Sequence, residues 1–185
     1  MNYLIFVPAR KGSKGILNKN LTLLKDKPLL YYTFSFIKKI KNIDKEIFVS
    51  TDSRRILKYS KSNGFKYNYL RPKKLSQDNS LVQYAIIDSL EWLKKNYDKK
   101  FDAVILLQPT SPIRISKEIN NAIKYFEKFK LKSLVSATKM KEHPYECVKI
   151  SENQKWKYLS SNPLNYSPRQ TYKNNFYFID GSFYI

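Results

Sequence analysis

The chain has 185 residues, 42% of them hydrophobic and 15% aromatic, which is enough for one α/β domain with its own core and excludes general disorder. A single cysteine, Cys147, excludes an intramolecular disulfide and a cysteine zinc cluster, and the lone His143 excludes a histidine-rich metal site. Only six of the 35 basic residues behind the formal charge of +20 are arginines (Arg10, Arg54, Arg55, Arg71, Arg114, Arg169), and the lysines run from end to end, so most of the charge reads as a solvated coat, with the remainder serving an anionic ligand.

Tyr3 to Val7 is a compact apolar run closed by Pro8, predicting a strand buried on both faces. Arg10, Lys11 and Lys14 interrupt it too early for a signal-peptide core or a membrane span, so a cytoplasmic protein without a membrane partner is expected. After a polar loop to Asp26, Pro28 opens a helix whose apolar residues recur at helical spacing from Leu29 to Ile40. Glu46 to Ser50 reads as a strand. Asp52 or Ser53 can cap a helix to Asn63, which Gly64 is placed to end in a left-handed conformation. Lys66 to Leu70 reads as a third strand, Asn79 to Asn96 as a long amphipathic helix, and Ala103 to Leu107 as the most apolar strand of the chain. Ser116 is the expected cap of a helix reaching about Lys130, and Leu134 to Ala137 is a further strand.

Short apolar strands alternating with helices argue an α/β fold with a mainly parallel sheet covered on both faces, which binds ligands outside the carboxyl ends of its strands. After Thr138 the rhythm changes. Tyr145–Ile150, Trp156–Leu159 and Asn175–Ile185 are strand-like and aromatic with no long helix between them, as in an antiparallel excursion or a partner surface.

The loop after the first strand carries the chemistry: Pro8-Ala9-Arg10-Lys11-Gly12-Ser13-Lys14-Gly15, then Lys19-Asn20. Gly12 and Gly15 allow a tight backbone whose amides can face an anion, and Arg10, Lys14 and Lys19 can neutralise a polyphosphate. The spacing is neither that of a P-loop nor the dinucleotide fingerprint, and from the residues alone the segment is either a phosphate site or a solvated connector.

This loop resembles the opening signature of the CMP-N-acylneuraminate synthetases, or acylneuraminate cytidylyltransferases. Four further segments agree with that family in order and spacing: Ser50-Thr51-Asp52-Ser53, Arg71-Pro72, Leu106 to Arg114 (Leu-Leu-Gln-Pro-Thr-Ser-Pro-Ile-Arg), and Arg169-Gln170 leading to Asp180-Gly181-Ser182-Phe183-Tyr184-Ile185. The resemblance spans the whole chain. It implies a nucleotide-diphospho-sugar transferase-like fold and transfer of CMP from CTP to a nine-carbon acidic sugar, a sialic acid or related nonulosonate. Arg10 and Lys19 match positions on the CTP phosphates and stand as the catalytic pair. Gly12, Ser13, Lys14, Asn20 and Arg71 join them at the nucleotide, while Gln108, Arg169, Asp180 and Tyr184 match the sugar site. Related synthetases for the eight-carbon acid sugar carry an acidic residue in place of Gln108. Asp180 stands where the family has asparagine.

The resemblance further implies Mg²⁺ as cofactor, with its ligands expected beyond Ile185 in a segment that a truncated single domain of 185 residues lacks. It also implies a homodimer formed through an arm at about residues 139–175. Two other functions compete. One is a basic nucleic-acid-binding module using Tyr31, Tyr32, Tyr67 and Tyr69, which the resemblance disfavours; the other is a nucleotidyltransferase-like domain without catalysis.

Overall fold

The computed structural model describes residues 1–12, 15–159 and 175–185. They divide into two units, one of Met1–Val135 with Gly181–Ile185 and one of Ser136–Asp180.

In the larger unit, β1 (Asn2–Pro8) is the central strand, with β4 (Asp44–Ser50) parallel on one side and β5 (Ala103–Leu106) parallel on the other. Tyr3 to Val7 are all fully buried, as the uninterrupted apolar run requires. Successive side chains of β1 take opposite faces. Tyr3, Ile5 and Val7 pack with residues of α1 (Leu29–Ile37), α2 (Arg54–Ser62) and α4 (Ser116–Lys128), whereas Leu4 and Phe6 pack with Phe48, Tyr67, Tyr69 and the face of α3 (Val82–Tyr97) that holds Ala85 and Leu93. β9 (Tyr177–Tyr184) pairs antiparallel to β5 at Leu106 and Tyr184, and Leu134 and Ile185 exchange backbone hydrogen bonds of 2.8 and 2.9 Å. With β6 (Val135–Lys139), the strand order is β4-β1-β5-β9-β6. A two-residue hairpin, β2 (Leu23–Leu24) with β3 (Lys27–Pro28), precedes α1. No helix among the described residues is long and apolar enough to cross a membrane.

The larger unit departs from the sequence expectations chiefly at four places. Helix α1 ends at Ile37 rather than Ile40, because the amides of Lys39 and Ile40 turn back three residues, to Phe36 and Ile37; this tighter turn still delivers Ile40 to the core. The segment Lys66–Leu70 pairs with no strand among the described residues. Its alternation is real, with Phe65, Tyr67, Tyr69 and Arg71 buried and Lys66, Asn68 and Leu70 exposed, but the pattern reports burial and not a ladder. Helix α3 starts at Val82 because Ser80 is held in a turn, its amide donating to Gln77 and its hydroxyl to the Lys74 carbonyl. Ser116 is the first residue of α4, not its cap; the Glu118 amide already turns back to the Ile115 carbonyl.

Burial of Tyr67 and Tyr69, about 5% exposed each among Phe48, Trp92 and Tyr97, removes two of the aromatics that had suggested a nucleic-acid surface. Tyr67 donates its hydroxyl to Glu46, which also pairs with Lys66 at 2.9 Å and Lys99 at 3.2 Å. Burial alone raises the Glu46 pKa, but the hydrogen bonds from Lys66, Lys99 and Tyr67 outweigh it and hold the carboxyl below its ordinary 4.5. A depressed carboxyl contributes stability that is complete above about 4.5 and is lost as the pH falls through the folded value. Glu46→Gln is therefore expected to cost on the order of 1 kcal/mol at pH 7 and to flatten the loss of stability below pH 4.5, as urea unfolding at a series of pH values would show. An unchanged acid limb would contradict that role.

The smaller unit contains the remainder of β6, the first half of β9 and a hairpin of β7 (Val148–Ile150) with β8 (Trp156–Tyr158). Within it the Asp180 carboxylate accepts hydrogen bonds from Ser136 Oγ at 2.6 Å and Thr138 Oγ1 at 2.8 Å.

Candidate nucleotide site

A cavity of about 490 Å³ opens at the carboxyl ends of the parallel strands in the larger unit, the end at which such sheets bind ligands. The chain runs from β1 outward to β4 and returns past β1 to β5, so the loops after β1 and β5 diverge at this point and leave room between them. Arg10, Gly15, Lys19 and Asn20 come from the loop after β1. Arg71 follows the buried tyrosine segment. Gln77, Asp78 and Ser80 belong to the connection into α3, and Gln108, Pro109 and Thr110 follow β5.

Five residues singled out in the sequence thus line one cavity: Arg10, Lys19, Asn20, Arg71 and Gln108. Gly12 is exposed on the same loop and is not among the lining residues. Ser13, Lys14 and Arg169 lie outside the described residues.

The side chains of Arg10, Asn20 and Arg71 are held by their neighbours. Arg10 donates to the Ser76 carbonyl at 3.3 Å and pairs with Asp78 at 2.7 Å, so this cation already has an anionic group beside it. Asn20, only 5% exposed, spends its amide on the Arg10 carbonyl at 2.9 Å. Asn18 takes the left-handed conformation at φ 52°, which starts the short helical turn Lys19–Leu21. Arg71 is 6% exposed, and its guanidinium donates to the Ser50 hydroxyl and carbonyl. It is therefore a buried cation tied to the end of β4 and not a surface ion pair. Burial lowers its pKa, and the like charge of Arg10 lowers it further, against the attraction of Tyr69, Asp52 and Asp88. Two guanidiniums close enough to repel favour an anion between them.

Beyond Gln108 the chain is braced by Arg114. Its guanidinium donates to the carbonyl of Gln108, to the Ser182 carbonyl at 2.6 Å and to Thr33 Oγ1 at 3.2 Å, and it lies over the Phe36 ring. Burial pushes Arg114 down to about 10, which leaves it charged at neutral pH. Gly181 has φ 73°, a conformation that side chains other than glycine adopt only with strain, and the place where its Cβ would stand lies 3.5 to 4.0 Å from Ser111 Oγ, the Tyr184 hydroxyl and Gln108 Oε1. Gln108 and Tyr184 are therefore neighbours across that glycine.

Asp52 is not the helix cap. Ser53 is, its Oγ accepting from the Ile56 amide at 3.4 Å, while the Asp52 carboxylate accepts the Lys11 amide at 2.6 Å. Sequence reading also passed over Gln77, Asp78 and Ser80. Their signal was the polar run Ser76 to Ser80 directly before an amphipathic helix, a composition typical of loops that carry function.

Among the described residues no three or more metal-ligating side chains gather, and the one carboxylate lining the cavity, Asp78, is engaged by Arg10. The lining also holds no histidine or cysteine, so these residues can gather and neutralise a polyanion and offer amides and hydroxyls to a neutral polar group beside it.

Residues 4–182 match the model of the cytidylyltransferase family. Over its whole length the chain is 34% identical to the CMP-N,N'-diacetyllegionaminic acid synthase of Legionella pneumophila, 78% of which it covers. Over 78% of its length it is 32% identical to an N-acylneuraminate cytidylyltransferase of Streptococcus agalactiae, and there it spans only 34% of the relative. The whole chain also superimposes, at a TM-score of 0.70 and 19% identity, on 73% of a CMP:2-keto-3-deoxy-manno-octonic acid synthetase solved with CTP, a likeness of fold.

Proposed function

The chain belongs to the cytidylyltransferase family of nucleotidyltransferases, and we propose that it transfers CMP from CTP to a nine-carbon acidic sugar, a sialic acid or related nonulosonate, with release of pyrophosphate. One observation carries the reading: Arg10 and Lys19 of the loop after β1, and Arg71 from a distant stretch of the chain, converge on one cavity at the carboxyl ends of the parallel strands, which Gln108 also lines.

In this reading the anomeric hydroxyl of the sugar attacks the α-phosphorus, the new O–P bond forms as the bond to the β-phosphate oxygen breaks, and the hydroxyl proton passes to solvent. Arg10 and Lys19 take up the charge that develops on the departing pyrophosphate, and Arg71 lies at the nucleotide. Gln108 and Tyr184 hold sugar hydroxyls, and the family resemblance assigns roles in sugar recognition to Arg169 and Asp180 as well. Mg²⁺ belongs to the reading as a companion of the triphosphate, where it would add positive charge to that supplied by Arg10 and Lys19. A cytoplasmic location goes with it, because CTP is an intracellular nucleotide.

A panel of sialic, legionaminic and pseudaminic acids, each incubated with CTP and Mg²⁺, tests the proposal. One of them is expected to release pyrophosphate in step with a CMP-sugar. Release from none would overturn it.

A homodimer is part of the same proposal. In the smaller unit Val148, Ile150, Trp156 and Tyr158 form an exposed apolar hairpin face, with Trp156 at 61% exposure, and such a face is better covered than left in water. Trp156→Glu is expected to shift the chain from dimer to monomer in sedimentation equilibrium. A dimer of unchanged affinity would place the contact elsewhere.

A further inference from the structure

We propose that Asp52 is a positioning residue for the nucleotide site, one that fixes the phosphate-facing arginine, Arg10, by clamping the peptide bond that follows it. The inference rests on the CTP reading above and adds to it a residue that lines no wall of the cavity.

The clamp is a matter of which atoms belong to one plane. The Arg10 carbonyl and the Lys11 amide are the two ends of a single peptide group, and that group is rigid. Its carbonyl end accepts Asn20 Nδ2 at 2.9 Å, and its amide end donates to Asp52 Oδ1 at 2.6 Å. Held at both ends, the plane cannot rotate, and the direction in which the Arg10 side chain leaves the backbone is set. Without the Asp52 bond the amide end is released just before Gly12, where the chain has the most freedom to lose on ordering.

The position of Asp52 is itself prepared. It follows Ser50 and Thr51, both fully buried at the end of β4. The Ser50 carbonyl receives the Ala9 amide at 2.9 Å, the Thr51 carbonyl receives the Arg71 amide at 2.7 Å, and the Ser50 hydroxyl receives Arg71 Nε at 2.9 Å. Counting the guanidinium bond to the Ser50 carbonyl, three consecutive residues thus reach the glycine loop twice and Arg71 three times, tying two walls of the cavity to one strand end. Helix capping does not explain the carboxylate, since Ser53 supplies the cap of α2. An ionised acceptor on a backbone amide is the stronger kind of hydrogen bond, and it spans residues 41 apart in sequence.

Hydrogen exchange and steady-state kinetics on three chains test this: wild type, Asp52→Ala and Asp52→Asn. In the wild type without nucleotide, the Lys11 amide is expected to exchange at least about tenfold more slowly than an unbonded loop amide. In Asp52→Ala that protection is lost while the amides of β1 keep theirs, KM for CTP rises about tenfold, kcat falls by much less than the roughly 100-fold expected of Arg10→Ala because the Arg10 cation is still present, and KM for the sugar changes less than about threefold. Asp52→Asn keeps an acceptor oxygen and is expected to retain most of the protection and a KM for CTP within about threefold of wild type. Should the alanine variant fail to fold, the asparagine variant decides: a loss as large as that of Arg10→Ala overturns the proposal. An unprotected Lys11 amide in the wild type overturns the clamp alone, and so does a normal KM for CTP in Asp52→Ala. A protected amide in a wild-type chain that binds no CTP overturns instead the reading on which the proposal rests.

Discussion

Replacing Arg10 or Lys19 by alanine is expected to lower turnover about 100-fold and to leave the fold standing, the usual scale for a lost donor to charge that develops in the transition state. Both residues line the cavity from a loop whose backbone is anchored elsewhere, Arg10 through Asn20 and the Lys19 turn through the amides of Leu21 and Thr22 on Asn18. What Arg10→Ala removes from the folded state is a partly exposed pair with Asp78 and one hydrogen bond to Ser76, together about 1 kcal/mol. The effect should therefore divide sharply, with a large change in pyrophosphate release and a small one in the urea midpoint. Near-wild-type release from either variant would remove the assignment of these cations to the triphosphate.

The second large effect falls on stability. Arg114→Ala is expected to cost about 3 kcal/mol, because it deletes hydrogen bonds to Gln108, Ser182 and Thr33 together with the contact on Phe36. These partners lie in three separate stretches of the larger unit, so the loss should be cooperative and appear as a lower urea midpoint at unchanged slope. Arg114→Lys keeps the charge but cannot span the same three acceptors, and should lie between. A loss below about 1 kcal/mol would mean that the turn after β5 holds its shape without the guanidinium.

Legibility in the sequence followed the range of the interaction. Tyr3–Val7 was readable because a strand buried on both faces needs only its own residues to be apolar, and the end of α2 because Gly64, at φ 89°, answers a local backbone demand. Lys66–Leu70 was misread because alternation records which side chains are buried and says nothing about whether a neighbouring strand lies within hydrogen-bond reach. Arg10, Lys19, Asn20, Arg71 and Gln108 were identified through motif resemblance, and the fold then brought them to one cavity. Asp78 and the true partner of Asp52 were not legible, since each depends on a contact between residues 41 or more positions apart. The net charge, conspicuous in composition, located nothing: its lysines are scattered, and the cations that matter are those the strand ends bring together.

A specific CTP site and one more basic surface of a chain with a charge of +20 respond differently to the nucleotide. Titration of CTP into the isotope-labelled chain at physiological salt, followed amide by amide, measures this directly. The expected result is saturable shifts confined to the residues from Ala9 to Leu21, to Arg71 and its neighbours, and to the turn from Gln108 to Ser111, with the lysine-rich groove at Lys41, Lys117 and Lys124 unmoved. Shifts spread over that groove and the other lysine surfaces, fading together as salt is raised, would contradict it.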